Sequence, residues 1–200
     1  MLHLFPHWNW PGREGREVEV WCHTNMDRVE LLLNGRSLGS QDVARNSHAM
    51  WKVPYAPGTL EARGFKDGIP ALTATRTTTG APAKIVLRPD RLRIRADGED
   101  VAVIEVSAVD AAGLPVPLAD SEIAFRVRGS GKLIGVGNGD PSSHEADKAD
   151  HRKLFNGLAT AIVQSAKSAG DITIEASSEG LASAVLTLTA EATPLRPHIL

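Results

Sequence analysis

The sequence lacks several features that would assign it to common protein classes. Its 200 residues include one cysteine, Cys22, so neither a disulfide framework nor a cysteine zinc site can form within the chain. No run of about eighteen apolar residues occurs, as a transmembrane helix would require. The first residues also lack the basic, apolar and small-residue segments of a secretion signal. We therefore predict no membrane association and see no targeting segment.

Charge of either sign is not concentrated anywhere in the chain. There are 22 basic and 24 acidic residues, and the net charge is −2. Because a protein that binds nucleic acid normally presents a concentrated basic surface, nucleic acid is not an expected partner. The one tight basic run, residues 88–95, alternates with apolar residues and is typical of the solvated side of a strand.

Helical periodicity is missing too, and strand periodicity is present instead. In residues 16–24, Val18 and Val20 alternate with charged neighbours, the period-two pattern of a half-buried strand. Asn34 and Gly35 follow another apolar segment and supply the positive φ values that a tight hairpin turn needs. Short segments of the same kind, separated by Gly, Pro, Asp and Ser, continue along the chain. The sequence therefore predicts an all-β fold.

The aromatic residues divide the chain into two parts. All four tryptophans and the one tyrosine precede residue 56, so the two halves must have different cores. The change falls at residues 75–84, where a threonine-rich strand end meets a glycine and a proline. We predict two β-sandwich domains in tandem: a Trp-rich domain at 1–80 and an immunoglobulin-like domain at 83–192, with a tail at 193–200.

One polar cluster could in principle hold a metal ion. It lies within residues 137–157, and its weak candidate ligands are Asp140, His144 and Glu145. The spacing matches neither an HExxH helix nor an EF-hand loop. The pattern favours a surface loop between two strands, so no metal site is predicted.

Motifs for catalysis are missing as well. No GxSxG elbow occurs, and the glycine-rich residues before the polar cluster lack a Walker lysine. No two carboxylates stand out as a pair held across a sugar, which glycoside hydrolysis requires. The residues alone predict non-catalytic modules, without catalytic residues and without a cofactor.

The opening stretch LFPHWNWPGREG, residues 4–15, combines groups that suit two kinds of partner. The indoles of Trp8 and Trp10 could stack on sugar rings, but tryptophan is equally frequent at protein interfaces. His7 and Asn9 could bond hydroxyl groups. In a strand the two tryptophans would share one face, with His7 and Asn9 on the other. Three interpretations stay open: packing in the domain's own core, docking against a neighbouring domain, and contact with carbohydrate.

Long stretches of the chain resemble a known family. The first part resembles the all-β domain, of no assigned function, that follows the catalytic barrel in many bacterial β-galactosidases of glycoside hydrolase family 2. That resemblance is carried by residues 2–39, LHLFPHWNWPGREGREVEVWCHTNMDRVELLLNGRSLG. The second part resembles the immunoglobulin-like module that ends those enzymes, over AKIVLRPDRLRIRADGEDVAVIEVSAVDAAGLPVP and GVGNGDPSSHEADKADHRKLFNGLATAIVQS.

The resemblance implies that the chain is a carboxy-terminal, non-catalytic fragment of a β-galactosidase-type enzyme. In that family two glutamates on a (β/α)₈ barrel act as acid/base and nucleophile of a retaining mechanism. Neither glutamate can be assigned to a position in this chain. The implied partner is the barrel of the parent enzyme, and the family often works outside the cytoplasm, in the periplasm or beyond the cell.

The chain therefore has three candidate functions. The leading expectation is an accessory and scaffolding role beside a catalytic barrel. The second is an independent carbohydrate-binding module that uses Trp8 and Trp10. The third is an adhesion or spacer role of immunoglobulin-like domains, although the two halves show no clear mutual repeat.

Overall fold

The computed structural model of the protein describes residues 1–196, so residues 197–200 of the predicted tail lie outside the described residues. Strands are the only regular elements in the described part, and no helix there could span a membrane. The chain forms two compact units, Met1–Thr79 and a second unit that starts at Gly80. The predicted all-β fold is confirmed.

Seven strands make up the first unit. They are β1 (Leu2–Phe5), β2 (Glu17–Thr24), β3 (Arg28–Leu33), β4 (Arg36–Asp42), β5 (His48–Pro54), β6 (Thr59–Lys66) and β7 (Ile69–Thr77). One sheet has the order β1-β2-β5 and the other the order β4-β3-β6-β7. Every pairing within them is antiparallel.

The core of the first unit lies between its two sheets. Alternation along β2 buries Val18, Val20 and Cys22 and leaves the intervening side chains at or near the surface. Burial raises the pKa of the Cys22 thiol to about 11, so this thiol stays protonated and behaves as a small apolar group. The other buried members of this core are Leu4, Trp8, Val29, Leu31, Ala49, Trp51, Val53, Tyr55, Leu60 and Ala62.

The predicted hairpin turn joins β3 to β4. Asn34 and Gly35 have φ values of 52° and 78°. Leu33 pairs with Arg36 on either side of them, which confirms the two-residue turn. Both central residues are in the left-handed region, as a turn that matches the twist of the two strands requires.

Nine strands make up the second unit. They are β8 (Lys84–Pro89), β9 (Arg93–Arg95), β10 (Val101–Val109), β11 (Glu122–Gly129), β12 (Gly131–Gly137), β13 (His151–Lys153), β14 (Leu158–Ser165), β15 (Gly170–Ser178) and β16 (Leu181–Glu191). One layer has the order β12-β14-β10-β8, and the other has the order β16-β15-β11-β13 with β9 beside β16. The layers join where Lys84 pairs in parallel with Ala182.

The second unit buries mostly aliphatic side chains between these layers. Ile104 and Ile172 are fully buried on β10 and β15, and Phe125 on β11 is the aromatic member of the core. Two mainly antiparallel layers over one core form the sandwich architecture expected for this part of the chain.

Two short strands lie outside the segments in which the sequence predicts strands. These are β1, of four residues, and β13, of three residues, whereas β9 lies within the basic run 88–95 that is interpreted as one side of a strand. In β13 the buried central residue is Arg152. A strand of three or four residues is too short for alternation of apolar and polar residues to stand out, so a search by periodicity does not find it. The predicted surface loop at 137–157 accordingly contains β13.

Candidate functional site

The opening stretch forms turns after β1 and does not continue the strand. Trp8 is 1% exposed and lies in the core of the first unit. Its Nε1 donates a hydrogen bond to the carbonyl of Ala56 at 2.9 Å, and its ring meets Tyr55 edge-on at 5.2 Å. Since a ring buried in this way offers no open face, Trp8 contributes to core packing.

Asn9 joins the opening stretch to the chain that follows β7. Its side chain is buried: Nδ2 donates to Thr79 Oγ1 at 2.7 Å, and Oδ1 accepts from the Thr79 amide at 3.2 Å. Thr78 Oγ1 donates to the carbonyl of Trp8 at 2.6 Å. The amide of Asn9 is therefore occupied by the protein itself.

His7 and Trp10 lie together at the partly exposed side of the opening stretch. Their rings stack at 4.6 Å, Trp10 Nε1 donates to the carbonyl of His7 at 3.0 Å, and the Arg13 guanidinium lies over the indole at 5.2 Å. Residues 6–10 are not part of a strand, so the strand geometry that would have separated the two rings is absent there. Burial lowers the pKa of His7.

A larger group of rings lies on the outer side of the β1-β2-β5 sheet. We call it the ring face, and its members are His3, Phe5, Trp21, His23 and His48. Register brings them together, because Phe5 is opposite Trp21 and His23 is opposite both His3 and His48. All five side chains are partly or fully exposed.

The rings of the ring face stack on one another. Phe5 and His23 lie 5.2 Å apart at 6°, and Trp21 and His48 lie 4.3 Å apart at 12°. Each stacked ring has one side covered by its partner. Contiguous aromatic rings of this kind are typical of protein interfaces, where Trp and Phe are enriched.

The remaining surface of the same sheet differs in character. Met50, opposite Trp21, is 39% exposed and extends the apolar area. Further along, Glu19 is opposite Lys52, and both are exposed. Large rings are thus confined to one half of the sheet. The alternation in residues 16–24 could have predicted this surface. If Val18 and Val20 point into the core, Trp21 must point outward.

The polar cluster at 137–157 is arranged around its own hydrogen bonds. Asp140 Oδ1 accepts from the amide and hydroxyl of Ser142 at 2.8 and 2.7 Å. Glu145 Oε1 accepts from the Lys153 amide at 3.1 Å, and His144 is exposed. Within residues 1–196, no three His, Cys, Asp or Glu side chains are placed to hold a metal ion.

Two family models match the chain. The model described as glycoside hydrolase family 2 C-terminal domain 5 matches residues 85–187. A model of a domain of unknown function matches residues 15–71. Together they cover parts of both compact units.

Curated relatives match nearly the whole chain with a small part of their own length. A β-galactosidase of Bacteroides ovatus is 40% identical over 193 residues, which is 96% of this chain and 22% of the relative. A β-glucuronidase of Formosa agariphila is 31% identical over 196 residues, which is 94% of this chain and 19% of the relative. The chain thus spans about a fifth of the length of these relatives.

The fold is also present in solved structures. A β-glycosidase from Bacteroides vulgatus superposes with a TM-score of 0.91 at 34% identity. The match covers 94% of this chain and 24% of that chain. Here again, this chain resembles about a quarter of a longer glycosidase.

Proposed function

The chain belongs to the glycoside hydrolase family 2 C-terminal domain 5 family, and from this membership we propose that it is a non-catalytic accessory region that docks on the rest of a family 2 glycosidase through the ring face. The parent enzyme would hydrolyse terminal β-galactosides or related β-glycosides by a retaining mechanism with two glutamates. Relatives that carry glycosidase names and are about five times as long support this assignment.

The ring face is the observation that carries the docking proposal. Trp21 and Phe5 are large apolar rings that remain partly exposed while the other side of their sheet is buried. Contiguous exposed rings of this kind mark interaction sites, and Trp, Phe and Met are enriched at the centres of protein interfaces. The relatives extend well beyond the part that matches this chain, and this remaining part of the enzyme is the proposed partner.

A chimera tests this proposal. The chain replaces the matching 193 residues of the Bacteroides ovatus β-galactosidase, and hydrolysis of a chromogenic galactoside is followed after heating. We expect Trp21→Lys to speed thermal inactivation at least about tenfold, because loss of a central interface aromatic costs about 2 kcal/mol or more. The matched control, Lys52→Ala, changes an exposed side chain of the same sheet outside the ring face and should leave the rate unchanged.

Two further measurements show whether faster inactivation comes from lost docking or from unfolding of the first unit. The isolated chain with Trp21→Lys should unfold at nearly the same urea concentration as the unchanged chain, which shows that the first unit itself is intact. The isolated chain should not hydrolyse the galactoside. Equal inactivation rates for Trp21→Lys and Lys52→Ala would reject docking through the ring face, and turnover by the isolated chain, abolished by one Glu→Gln change, would reject the non-catalytic assignment.

A further inference from the structure

A groove of about 570 Å³ opens at one end of the first unit, next to the ring face. We call it the end groove. It is formed by the β2–β3 turn, the β4–β5 loop and the last residue of β6. Its polar lining residues include His23, Asn25, Asp27, Arg45, Ser47 and Lys66. Its volume lies in the range of about 300–1,000 Å³ that small-molecule sites occupy.

Hydrogen bonds of the backbone hold the end groove open. Thr24 Oγ1 accepts from the Met26 amide at 3.0 Å and so fixes the β2–β3 turn. The Asp27 carbonyl accepts from the Val43 amide at 2.8 Å, and the Asp27 amide donates to the Phe65 carbonyl at 2.9 Å. Because these contacts join all three of its walls, little ordering is needed when a ligand enters.

The lining combines an apolar base with hydrogen-bonding groups. Met26 and Val43 are buried or half-buried, and Val43 packs against the core of the first unit. Asn25 and Ser47 offer an amide and a hydroxyl. Such a surface suits a ligand with an apolar ring and several hydroxyl groups.

The charges of the end groove do not cancel. Asp27 Oδ1 accepts from Lys66 Nζ at 2.6 Å, and Asp27 Oδ2 accepts from the Asp67 amide at 2.9 Å. The Asp67 amide and Lys66 lower the pKa of Asp27, so this carboxylate is ionised and neutralises Lys66. Arg45 also lines the end groove and has no ion pair among residues 1–196. Among the side chains that line the end groove, Arg45 is therefore the lysine or arginine left to pair with a ligand.

We propose that the end groove binds a saccharide that carries a carboxylate, such as a uronic acid. Arg45 pairs with the carboxylate, Asn25 and Ser47 bond ring hydroxyls, and His23 borders the ligand from the ring face. That the ligand is a saccharide rests on the proposed membership of the chain in a glycosidase. That the ligand is negatively charged is inferred from Arg45. A planar guanidinium binds a carboxylate through two parallel hydrogen bonds, which a neutral sugar cannot form.

Amide chemical shifts of the isolated chain test the proposal. Methyl β-glucuronide, methyl β-galactoside and sodium acetate are titrated separately into ¹⁵N-labelled protein. We expect the glucuronide to shift amides of residues 24–27 and 43–47, with half-saturation on the order of 1 mM, as is usual for a monosaccharide-sized ligand. Arg45→Gln should weaken binding roughly tenfold by removing a charge-assisted bond. The matched control, Arg36→Gln, removes an exposed arginine of the same unit outside the end groove.

Each result decides one part of the proposal. Acetate shifts equal to those of the glucuronide indicate a simple anion site and overturn the saccharide. Equal shifts from the galactoside overturn the role of charge, and no shifts, or equal weakening by both arginine changes, overturn the site. Docking is not involved in this titration, so a failed titration leaves the chimera result standing, and a failed chimera leaves the titration standing.

Discussion

Arg152 organises the polar loop of the second unit although it is a buried cation. Its side chain is 3% exposed. Nη2 donates to the carbonyl of Val136 at 3.0 Å and to Asp147 Oδ1 at 2.7 Å, and Nη1 donates to Ser143 Oγ at 3.4 Å. A guanidinium can satisfy several acceptors at once because its donors are fixed in one plane. The loop that contains the candidate metal ligands is thus held by an arginine.

Replacement of this arginine should destabilise the second unit. Arg152→Met keeps most of the apolar stem and leaves the buried Val136 carbonyl without its donor, which we expect to cost about 1–3 kcal/mol. Far-UV circular dichroism during urea unfolding should record the loss. Tryptophan fluorescence should not, because all four tryptophans belong to the first unit. The control Arg126→Met changes an exposed arginine of β11, and an equal effect of both changes would contradict the role of Arg152.

The fate of single aromatic residues was only partly predictable from the sequence. The composition of residues 4–15 indicated packing, docking or sugar contact, but their environment depends on distant partners. Trp8 reaches the carbonyl of Ala56, 48 positions away, and Asn9 reaches Thr79, 70 positions away. Trp21 attracted no functional prediction, because its ring neighbours come from β1 and β5 and become visible only once the register is known.

Elements with strong alternation were predicted well, and short elements were not. The strand at residues 16–24 and the turn at Asn34 correspond to β2 and the β3–β4 connection. Alternation needs several residues to become visible, so β13, with three residues, gave no signal. What periodicity could not supply is the contact of a turn with another segment. Asn34 is the clearest case, since its side chain binds the backbone of Pro57 and of Thr59, the first residue of β6.

Asn34 should stabilise the first unit beyond its turn. Its Oδ1 accepts from the Thr59 amide at 2.8 Å, and its Nδ2 donates to the Pro57 carbonyl at 3.0 Å. Asn34→Ala removes both bonds and the tolerance for positive φ, so we expect a loss of about 1–3 kcal/mol by tryptophan fluorescence in urea. Asn46→Ala is the matched control: Asn46 also has positive φ, at 61°, but forms no side-chain hydrogen bond in the described chain. Equal losses would show that backbone conformation alone accounts for the effect.

At the scale of the whole molecule, the chain combines two units whose cores differ in composition. The first core contains Trp8, Trp51 and Tyr55, whereas Phe125 is the aromatic member of the second. The resemblance to accessory domains of family 2 glycosidases was visible in the sequence because long stretches carried it, and the family match confirms it. The sequence could not indicate the end groove, since its walls come from segments about 20 positions apart that only the fold brings together.

The two units also contain histidines whose pKa values move in opposite directions. Burial lowers the pKa of His7 in the first unit, where Nδ1 accepts a bond from the Asn9 amide at 3.2 Å. In the second unit, the hydrogen bond with Asp150 raises the pKa of His151. A lowered histidine pKa means that the unfolded state binds the proton more tightly, so stability falls as the pH falls through the unfolded value of about 6.5. A raised pKa has the reverse effect, and its contribution is lost as the pH rises through the folded value.

Acidification from pH 8 to pH 5.5 should therefore change the two units in opposite directions. Tryptophan fluorescence follows the first unit, and we expect its urea midpoint to decrease. The transition that is seen only by circular dichroism follows the second unit, and we expect its urea midpoint to increase. His7→Gln should flatten the first dependence and His151→Gln the second, because each removes the titrating group. This pH range lies above the ordinary carboxyl pKa values, so aspartates contribute little to the difference. Midpoints that move in the same direction in the unchanged chain, or that keep their pH dependence in both variants, would contradict the assignment of these two histidines.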